Sequence, residues 1–396
     1  MLLTIQYLED ASTIDRKTPA EWAELLDRAF NILPLTHVLM GWKVPPPILQ
    51  ACDNITSAHM ARLYRWHPLL TGDGGFTVKP DWRVIGLDGN PVPASAGGEE
   101  FSFICPNHPE ATEIILDNLK YQLSQFDYQG VFLDRIRYPS PVADAINQLG
   151  CFCKHCQKAA AQQGVDLIEI RRALKRMASN ALGTIDLTLE LVGWQEFGQS
   201  PLSLLLAFRQ TSITKLIERA TDLALDRGLE VGLDCFTPSL ARMVGQDLVE
   251  LSYHARWIKL MTYAHTLGPA GLPFELLGLI DTLTKRTGLT WPEAAGRLSE
   301  TAGFRIPDNR EELVRDGLPT EALVDEMRKV EGMLQCTALA GVELVDLQGI
   351  THIDDGRLEK DLSALTFIRT GGLALSWDLQ SIPMQRLELV NKVLFG

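Results

Sequence analysis

"LLTIQYLEDASTID" (residues 2–15) begins as a short run of aliphatic and β-branched residues and continues into an acidic segment that contains no glycine. A doubly wound open sheet usually carries a glycine-rich turn directly after its first strand. The absence of that turn favours the other arrangement in which strands and helices alternate, a closed barrel of parallel strands.

Seven more β-rich runs follow along the chain. Stretches with helical spacing of apolar residues separate them, for example "TPAEWAELLDRAFNIL" (18–33). The eight runs occupy residues 2–8, 36–42, 61–67, 130–136, 230–236, 257–263, 342–348 and 372–378. Eight strands alternating with helices predict an α/β fold, a single (β/α)8 TIM-barrel domain over residues 1–396.

Two insertions stand out, residues 137–201 after the fourth strand and residues 264–320 after the sixth. Long loops after barrel strands lie on the catalytic face. We therefore expect both to be insertions on that face, the second of them lid-like because it contains "GPAGLP" (268–273).

Charge and hydropathy exclude several classes of partner. The net charge of −13 repels phosphate backbones and anionic lipid, so we expect neither a nucleic acid nor a membrane partner. No apolar run approaches the roughly 20 residues needed to span a bilayer. The start lacks the basic region of a signal peptide, so a cytoplasmic, reducing location is expected. The sequence predicts no oligomeric state.

Three of the seven cysteines fall within "GCFCKHCQKAA" (150–160). The pattern C-x-C-x-x-C supplies three thiolates, and either His155 or Cys105 of "FSFICPNHPE" would complete a tetrahedral, closed, structural zinc site, Cys105 being favoured. Such a site would stabilise the 137–201 insertion. The alternatives are reduced cysteines without a metal and a redox C-x-x-C, although the strand that should directly precede a redox motif is missing.

The cysteine constellation resembles that of the zinc-bearing β-galactosidases of the (β/α)8 glycoside hydrolase superfamily. A "CPN"-type cysteine is followed there by a "CYC-x-x-C"-type cluster, as it is here over about residues 100–160. The resemblance implies a structural Zn²⁺ held by Cys105, Cys151, Cys153 and Cys156, with no organic cofactor. The Asn-Glu pair that those enzymes place at the end of strand four is absent here, so the resemblance supports zinc and fold more than galactoside cleavage.

The fourth strand lies in "YQGVFLDRIRYPSP" (128–141) and ends in Asp134. This segment is similar to the "DG-(I/V)-x-(F/L)-D-x-x-R-Y-P" strand of glycoside hydrolase-like barrels, which implies an enzyme that cleaves a glycosidic bond in a carbohydrate. Such cleavage needs two facing carboxyl groups. Arg135 and Arg137 would keep Asp134 ionised as nucleophile or base. The alternative is a structural Asp–Arg pair at the barrel rim.

Three residues are candidates for the second carboxyl group. Asp234 ends "EVGLD", and strand alternation points it into the barrel mouth, so it is favoured as acid/base. Glu343 and Asp346 lie in "VELVDLQ", where alternation cannot place both inside. Asp346 is expected nearer the catalytic face, and both remain candidates.

Sugar recognition needs flat apolar surfaces and polar groups near strand ends. Core or rim packing is the alternative interpretation for each residue taken singly. The candidate substrate-binding residues are Trp66, His67, Arg137, Tyr138, Lys259, Tyr263, His265, Trp377 and Asp378.

Two other function classes remain open. A non-catalytic carbohydrate-binding barrel would keep the aromatic residues and lack one carboxyl group. A lyase or a metal-dependent hydrolase would want His and Asp ligands at strand ends, but no H-x-H follows the first strand.

Overall fold

The computed structural model describes residues 1–9, 11–94, 98, 101–194, 198–368 and 370–396. Residues 195–197 of the predicted 137–201 insertion lie outside this part of the chain. Within it, no helix is both long enough and apolar enough to cross a bilayer.

Eight strands close into a barrel in chain order, and every neighbouring pair is parallel. They are β1 (Leu2–Tyr7), β2 (His37–Met40), β3 (Arg62–Pro68), β4 (Gly130–Asp134), β5 (Glu230–Cys235), β6 (Trp257–Leu260), β7 (Thr337–Glu343) and β8 (Gly372–Ser376). This arrangement confirms the predicted (β/α)8 TIM barrel.

Helices surround the barrel and fill the long connections. They are α1 (Pro19–Ile32), α2 (Pro46–Ala58), α3 (Pro109–Leu123), α4 (Lys154–Gln162), α5 (Leu167–Met177), α6 (Ala181–Glu190), α7 (Pro201–Leu225), α8 (Pro238–Ala241), α9 (Leu248–Ser252), α10 (Leu272–Thr287), α11 (Trp291–Ala302), α12 (Arg310–Asp316), α13 (Thr320–Lys329), α14 (Asp355–Thr366) and α15 (Met384–Phe395). Local sequence fixes their ends, as in α1, where Thr18 and Glu21 form a capping box ahead of the first turn.

The predicted position of the seventh strand, residues 342–348, is wrong. β7 spans Thr337–Glu343 and pairs with β8 from Leu339 opposite Gly372 to Glu343 opposite Ser376. Its first half is made of small residues that give a weak strand signal, while Leu344 and Val345 stay buried after the chain has left the sheet. As a result, Glu343 is the last residue of the strand and Asp346 lies beyond it.

Aromatic side chains fill the barrel interior. Tyr64, Phe132 and Trp257 are fully buried there, and the Trp257 ring contacts the other two. Two glycines make this packing possible, because a β-carbon on Gly130 would lie 2.4 Å from the Tyr64 ring and one on Gly232 would lie 2.3 Å from the Trp257 ring. The filled barrel leaves its carboxyl-terminal mouth as the place for a site.

Candidate active site

A cavity of about 330 Å³ opens at the carboxyl ends of the strands. Its walls come from distant parts of the chain, as expected for a barrel mouth. The lining residues are Gln6, Glu9, Trp66, Phe101, Phe103, Asp134, Arg135, Arg137, Asp234, Lys259, Met261, Tyr263, Leu267, Gly268, Pro269, Ala270, Phe274, Ile350 and Trp377.

Asp134 and Asp234 both line this cavity, from the adjacent strands β4 and β5. Leu133 lies opposite Leu233 in the sheet register. Asp134 and Asp234, the next residue on each strand, therefore lie at the same level of the barrel. Adjacent strands lie roughly 4.8 Å apart, and alternation turns both side chains inward. The carboxyl groups are therefore neighbours.

Asp134 is held by donors on two sides. Trp66 Nε1 donates to Oδ2 at 3.0 Å, and the backbone N–H of Arg135 donates to Oδ1 at 2.5 Å. The Arg135 guanidinium lies 4.0 Å from Oδ2. This environment suits a negatively charged carboxylate with a fixed orientation.

Asp234 is more deeply buried, and only one of its oxygens is engaged. Lys259 Nζ donates to Oδ2 at 3.0 Å, whereas Oδ1 has no hydrogen-bond partner among the described residues. Burial raises the pKa of Asp234 to about 7, and the adjacent Lys259 ammonium partly opposes that rise. Asp234 can therefore take up or release a proton near neutral pH.

Lys259 is also fully buried, with its Nζ 3.0 Å from Gln6 Oε1 and its charge over the Phe132 and Tyr263 rings. Asp234 and Tyr263 raise the pKa of Lys259 against the opposing effect of burial. The side chain is thus held as an ammonium ion.

The sequence interpretation missed Glu9, which follows β1 and lines the cavity. The pKa of Glu9 is raised to about 8, mainly by burial and to a smaller extent by Asp134 and Asp378, while Arg135, whose Nη2 lies 3.7 Å from Oε1, opposes the rise. Its position directly after an apolar strand run was the available signal. Arg135 also lines the cavity and forms an ion pair with Asp73.

Five of the predicted substrate-binding residues do line the cavity: Trp66, Arg137, Lys259, Tyr263 and Trp377. The Trp377 ring lies 5.9 Å from the Tyr263 ring, and together they form one wall. Tyr263 Oη donates to Ser376 Oγ at 2.9 Å, which fixes that wall to the end of β8.

Asp378 lies behind the cavity and does not line it. Its two carboxylate oxygens accept hydrogen bonds from the backbone N–H groups of Leu8 and Glu9, each at 3.0 Å. We therefore correct its predicted contact with substrate to a role in positioning the turn that carries Glu9.

The structure also corrects His67 and Tyr138. Both side chains are fully buried away from the cavity. Alternation turns His67 to the outside of the barrel because Trp66 points inward. Tyr138 stacks on the Arg209 guanidinium, 4.6 Å from the ring centre, and its Oη lies 3.5 Å from Asn107 Nδ2.

His265, Glu343 and Asp346 form a third set of corrections, since none of them lines the cavity. Glu343 is buried and accepts a hydrogen bond from the backbone N–H of His265 at 2.7 Å. The His265 ring is tied to Asp361, with Nε2 2.8 Å from Oδ2. Asp346 is half-exposed and lies 3.2 Å from His352 Nδ1.

The four predicted cysteines come together at a second site. The sulfur atoms of Cys105, Cys151, Cys153 and Cys156 all lie within 4.8 Å of one another. Zn–S bonds of about 2.3 Å in a tetrahedron place sulfurs roughly 3.8 Å apart, and the Cys105–Cys153 and Cys105–Cys156 separations are 3.6 and 3.3 Å. The cluster could hold a metal ion, and His155 is not part of it.

Hydrogen-bond donors and a cation surround this cluster. The backbone N–H of Ile85 points at Cys151 Sγ at 3.4 Å, and Asn107 Nδ2 points at Cys156 Sγ at 3.3 Å. Arg209 is 1% exposed, and its Nε and Nη1 have no hydrogen-bond partner among the described residues. A buried cation and N–H donors suit a cluster of thiolates better than neutral thiols.

No family model matches the sequence, and no curated protein matches it. Solved structures similar in fold include the PgaB (BpsB) glycoside hydrolase domain from Bordetella bronchiseptica, which is 12% identical with a TM-score of 0.54 over 100% of this chain and 99% of that chain. A β-galactosidase from the psychrophilic Marinomonas ef1 is 10% identical with a TM-score of 0.54 over 95% of this chain. The chain spans 54% of the β-galactosidase. At these identities the similarity shows that the chain shares their barrel fold.

Proposed function

We propose that this protein is a glycoside hydrolase that acts on a carbohydrate with Asp134 and Asp234. One observation carries the proposal: two carboxyl groups in different electrostatic environments lie side by side in one cavity at the barrel mouth. Asp134 is surrounded by donors that suit a carboxylate, whereas burial makes Asp234 able to hold a proton near neutrality. Glycosidic cleavage requires that combination.

In the proposed reaction, an oxygen of Asp134 attacks the anomeric carbon while the glycosidic C–O bond breaks. The leaving oxygen takes the proton of Asp234, whose Oδ1 has no competing hydrogen bond among the described residues. Water then attacks the anomeric carbon of the glycosyl–Asp134 ester, Asp234 accepts the water proton, and Asp134 is released as a carboxylate.

The close placement of the two groups favours retention of anomeric configuration. Retaining enzymes separate their carboxyl groups by about 5–5.5 Å, and inverting enzymes by about 6.5–9.5 Å. Adjacent strands lie roughly 4.8 Å apart, which is nearer to the shorter of these two separations.

Lys259 is the feature that would suit a lyase acting through a Schiff base. A Schiff-base lysine must be neutral to attack a carbonyl group, and the Asp234 contact at 3.0 Å opposes that state. A metal-dependent hydrolase is not favoured either, because the cysteine cluster is the metal-ligand group found among the described residues.

A panel of aryl glycosides tests the proposal, with wild type, Asp134→Asn, Asp234→Asn and Glu9→Gln. We expect wild type to hydrolyse at least one substrate and both aspartate variants to lose about 10²–10⁴-fold in kcat. The Asp281→Asn variant, at a half-buried position outside the cavity, is the matched control and should keep wild-type activity. Unchanged turnover in both aspartate variants would reject the site, and a large loss only in Glu9→Gln would move the acid role to Glu9.

We also propose that the cysteine cluster holds a structural Zn²⁺ that stabilises the 137–201 insertion. The cluster joins Cys105, ahead of α3, to the loop and helix α4 within that insertion. A tetrathiolate leaves no open position for chemistry. Metal analysis tests this proposal: about one zinc per chain is expected, and substoichiometric zinc with all thiols titratable would reject it.

The segment after β6 is proposed as a lid, consistent with the expected role of residues 264–320. Leu267, Gly268, Pro269 and Ala270 line the cavity, and Phe274 of α10 continues that wall. Replacing Pro269 by Gly should raise KM and change the free energy of unfolding little. Steady-state kinetics measure the first quantity and urea denaturation the second. An unchanged KM would argue against closure by this segment.

A further inference from the structure

We propose that Arg137 binds an anionic substituent of the substrate, so that the carbohydrate is an acidic one carrying a carboxylate or a sulfate ester. The inference deepens the proposed function and rests on it. It is carried by a buried guanidinium in the cavity whose donors are mostly unused.

Two aromatic rings hold the Arg137 guanidinium in place. Its central carbon lies 4.5 Å from the centre of the Phe103 ring and 4.7 Å from the centre of the Phe236 ring. The two rings restrict the position of the group, and the N–H donors that the protein does not use remain for hydrogen bonding. Arg137 is 7% exposed and lines the cavity, so the exposed part of the residue belongs to the cavity wall.

The protein itself uses little of this donor capacity. A guanidinium has five N–H donors. In Arg137, one of them is used within the described residues: Nη1 donates to the backbone oxygen of Tyr138 at 3.2 Å. No carboxylate of the described residues lies within 4.0 Å of the group, in contrast to the other cations of the cavity: Arg135 pairs with Asp73, and Lys259 pairs with Asp234.

A buried, unpaired cation is costly unless something compensates it. Glu275, Asp134 and Asp234 act on Arg137 only at longer range, and burial lowers its pKa. An anion entering the cavity would meet a rigid fork of donors that matches carboxylate or sulfate oxygens. Arg137 follows Asp134 by three residues, so the anionic group belongs to the sugar unit at or next to the cleaved bond.

Binding of matched sugar pairs tests the inference. Hexuronic acids, hexose 6-sulfates and the corresponding neutral hexoses are titrated into the full-length protein, with tryptophan fluorescence as the readout because Trp66 and Trp377 line the cavity. Wild type should bind at least one acidic sugar about tenfold or more tightly than its neutral partner. Preference for the uronate identifies a carboxylate ligand, and preference for the 6-sulfate identifies a sulfate ester.

Arg137→Gln should reduce that preference to about twofold or less, and the exposed Arg219→Gln should keep it. Should the Gln variant not fold by circular dichroism, Arg137→Lys, which keeps the charge and loses the fork, should lower the preference severalfold. Equal binding of acidic and neutral sugars by wild type, or no binding of either, would overturn the inference, as would an unchanged preference in a folded Arg137 variant.

The failures of the two proposals are distinguishable. Hydrolysis of neutral aryl glycosides that depends on Asp134, with no acidic preference in binding, would reject the role of Arg137 and leave the glycosidase standing. An acidic preference that requires Arg137, with no hydrolysis of any glycoside, would support Arg137 and reject the glycosidase.

Discussion

Neutralising one partner of the Lys259–Asp234 pair is expected to destabilise the protein far more than neutralising both. The two side chains are 1% and 4% exposed, and Nζ lies 3.0 Å from Oδ2. Removing one partner of a buried pair costs about 3–5 kcal/mol, whereas replacing both by uncharged groups often leaves the free energy of unfolding almost unchanged. We therefore expect Lys259→Met and Asp234→Asn each to lower the free energy of unfolding by about 3–5 kcal/mol, and the double variant to lie near wild type.

The cost of Lys259→Met should also depend on pH. Loss of the ammonium raises the pKa of Asp234 above its value of about 7, and a neighbouring cation shifts a carboxyl group by roughly 1–3 units. A raised folded-state pKa of an acid means that stability is present at low pH and is lost as pH rises towards that pKa. At about 1.4 kcal/mol per unit, and with only the two units between pH 7 and pH 9 contributing, the deficit against wild type should be about 1.4–2.8 kcal/mol larger at pH 9 than at pH 6.

Urea denaturation followed by tryptophan fluorescence at both pH values measures these differences. Lys285→Met is the matched control, because Lys285 is 72% exposed and lies 3.5 Å from Asp281. An exposed pair of that kind contributes about 0.2–1 kcal/mol. Single variants that each cost less than about 1 kcal/mol, with a double variant equal to their sum, would refute the buried ion pair as an energetic unit.

Three further results are expected. Cys105→Ser should lose zinc and lower the melting temperature while kcat of the folded fraction stays near wild type, and full zinc retention by metal analysis would contradict this. If Asp234 is the proton donor, kcat/KM should fall as pH rises through about 7, because the protonated form is the active one; a rate that instead rises through pH 7 would assign Asp234 another role. Trp66→Phe removes the Nε1 hydrogen bond to Asp134 and should lower kcat about tenfold, together with a loss of about 1–3 kcal/mol in the free energy of unfolding because the indole is buried, and a loss confined to KM would argue against positioning of Asp134.

Strand periodicity explains what the sequence predicted well. The two-residue alternation of β5 pointed Asp234 inward, and the end of β4 pointed Asp134 to the same mouth. The C-x-C-x-x-C spacing brings Cys151, Cys153 and Cys156 together in one loop, whereas Cys105 was favoured as the fourth ligand by its place before a helix start and by the resemblance to zinc-bearing enzymes.

Residues beyond strand ends were predicted less well, because no period fixes their direction. His265 turns to Asp361 and Tyr138 turns to Arg209, both contacts between segments far apart in the chain. Glu9 was missed because the interpretation of its segment rested on the absence of glycine. His67 was predicted to face the cavity together with Trp66, although side-chain alternation along β3 turns it outward. The same alternation along β5 pointed Asp234 inward.

Trapping of a glycosyl–enzyme adduct tests the central claim most directly. Wild type is incubated with a series of activated 2-deoxy-2-fluoro glycosides, chosen to match the aryl glycosides that it hydrolyses, and peptides are analysed by mass spectrometry. The account predicts a single covalent adduct on Asp134, absent from Asp134→Asn and slow to form in Asp234→Asn with a poor leaving group. An adduct on another residue, or hydrolysis with inversion and no adduct, would contradict it.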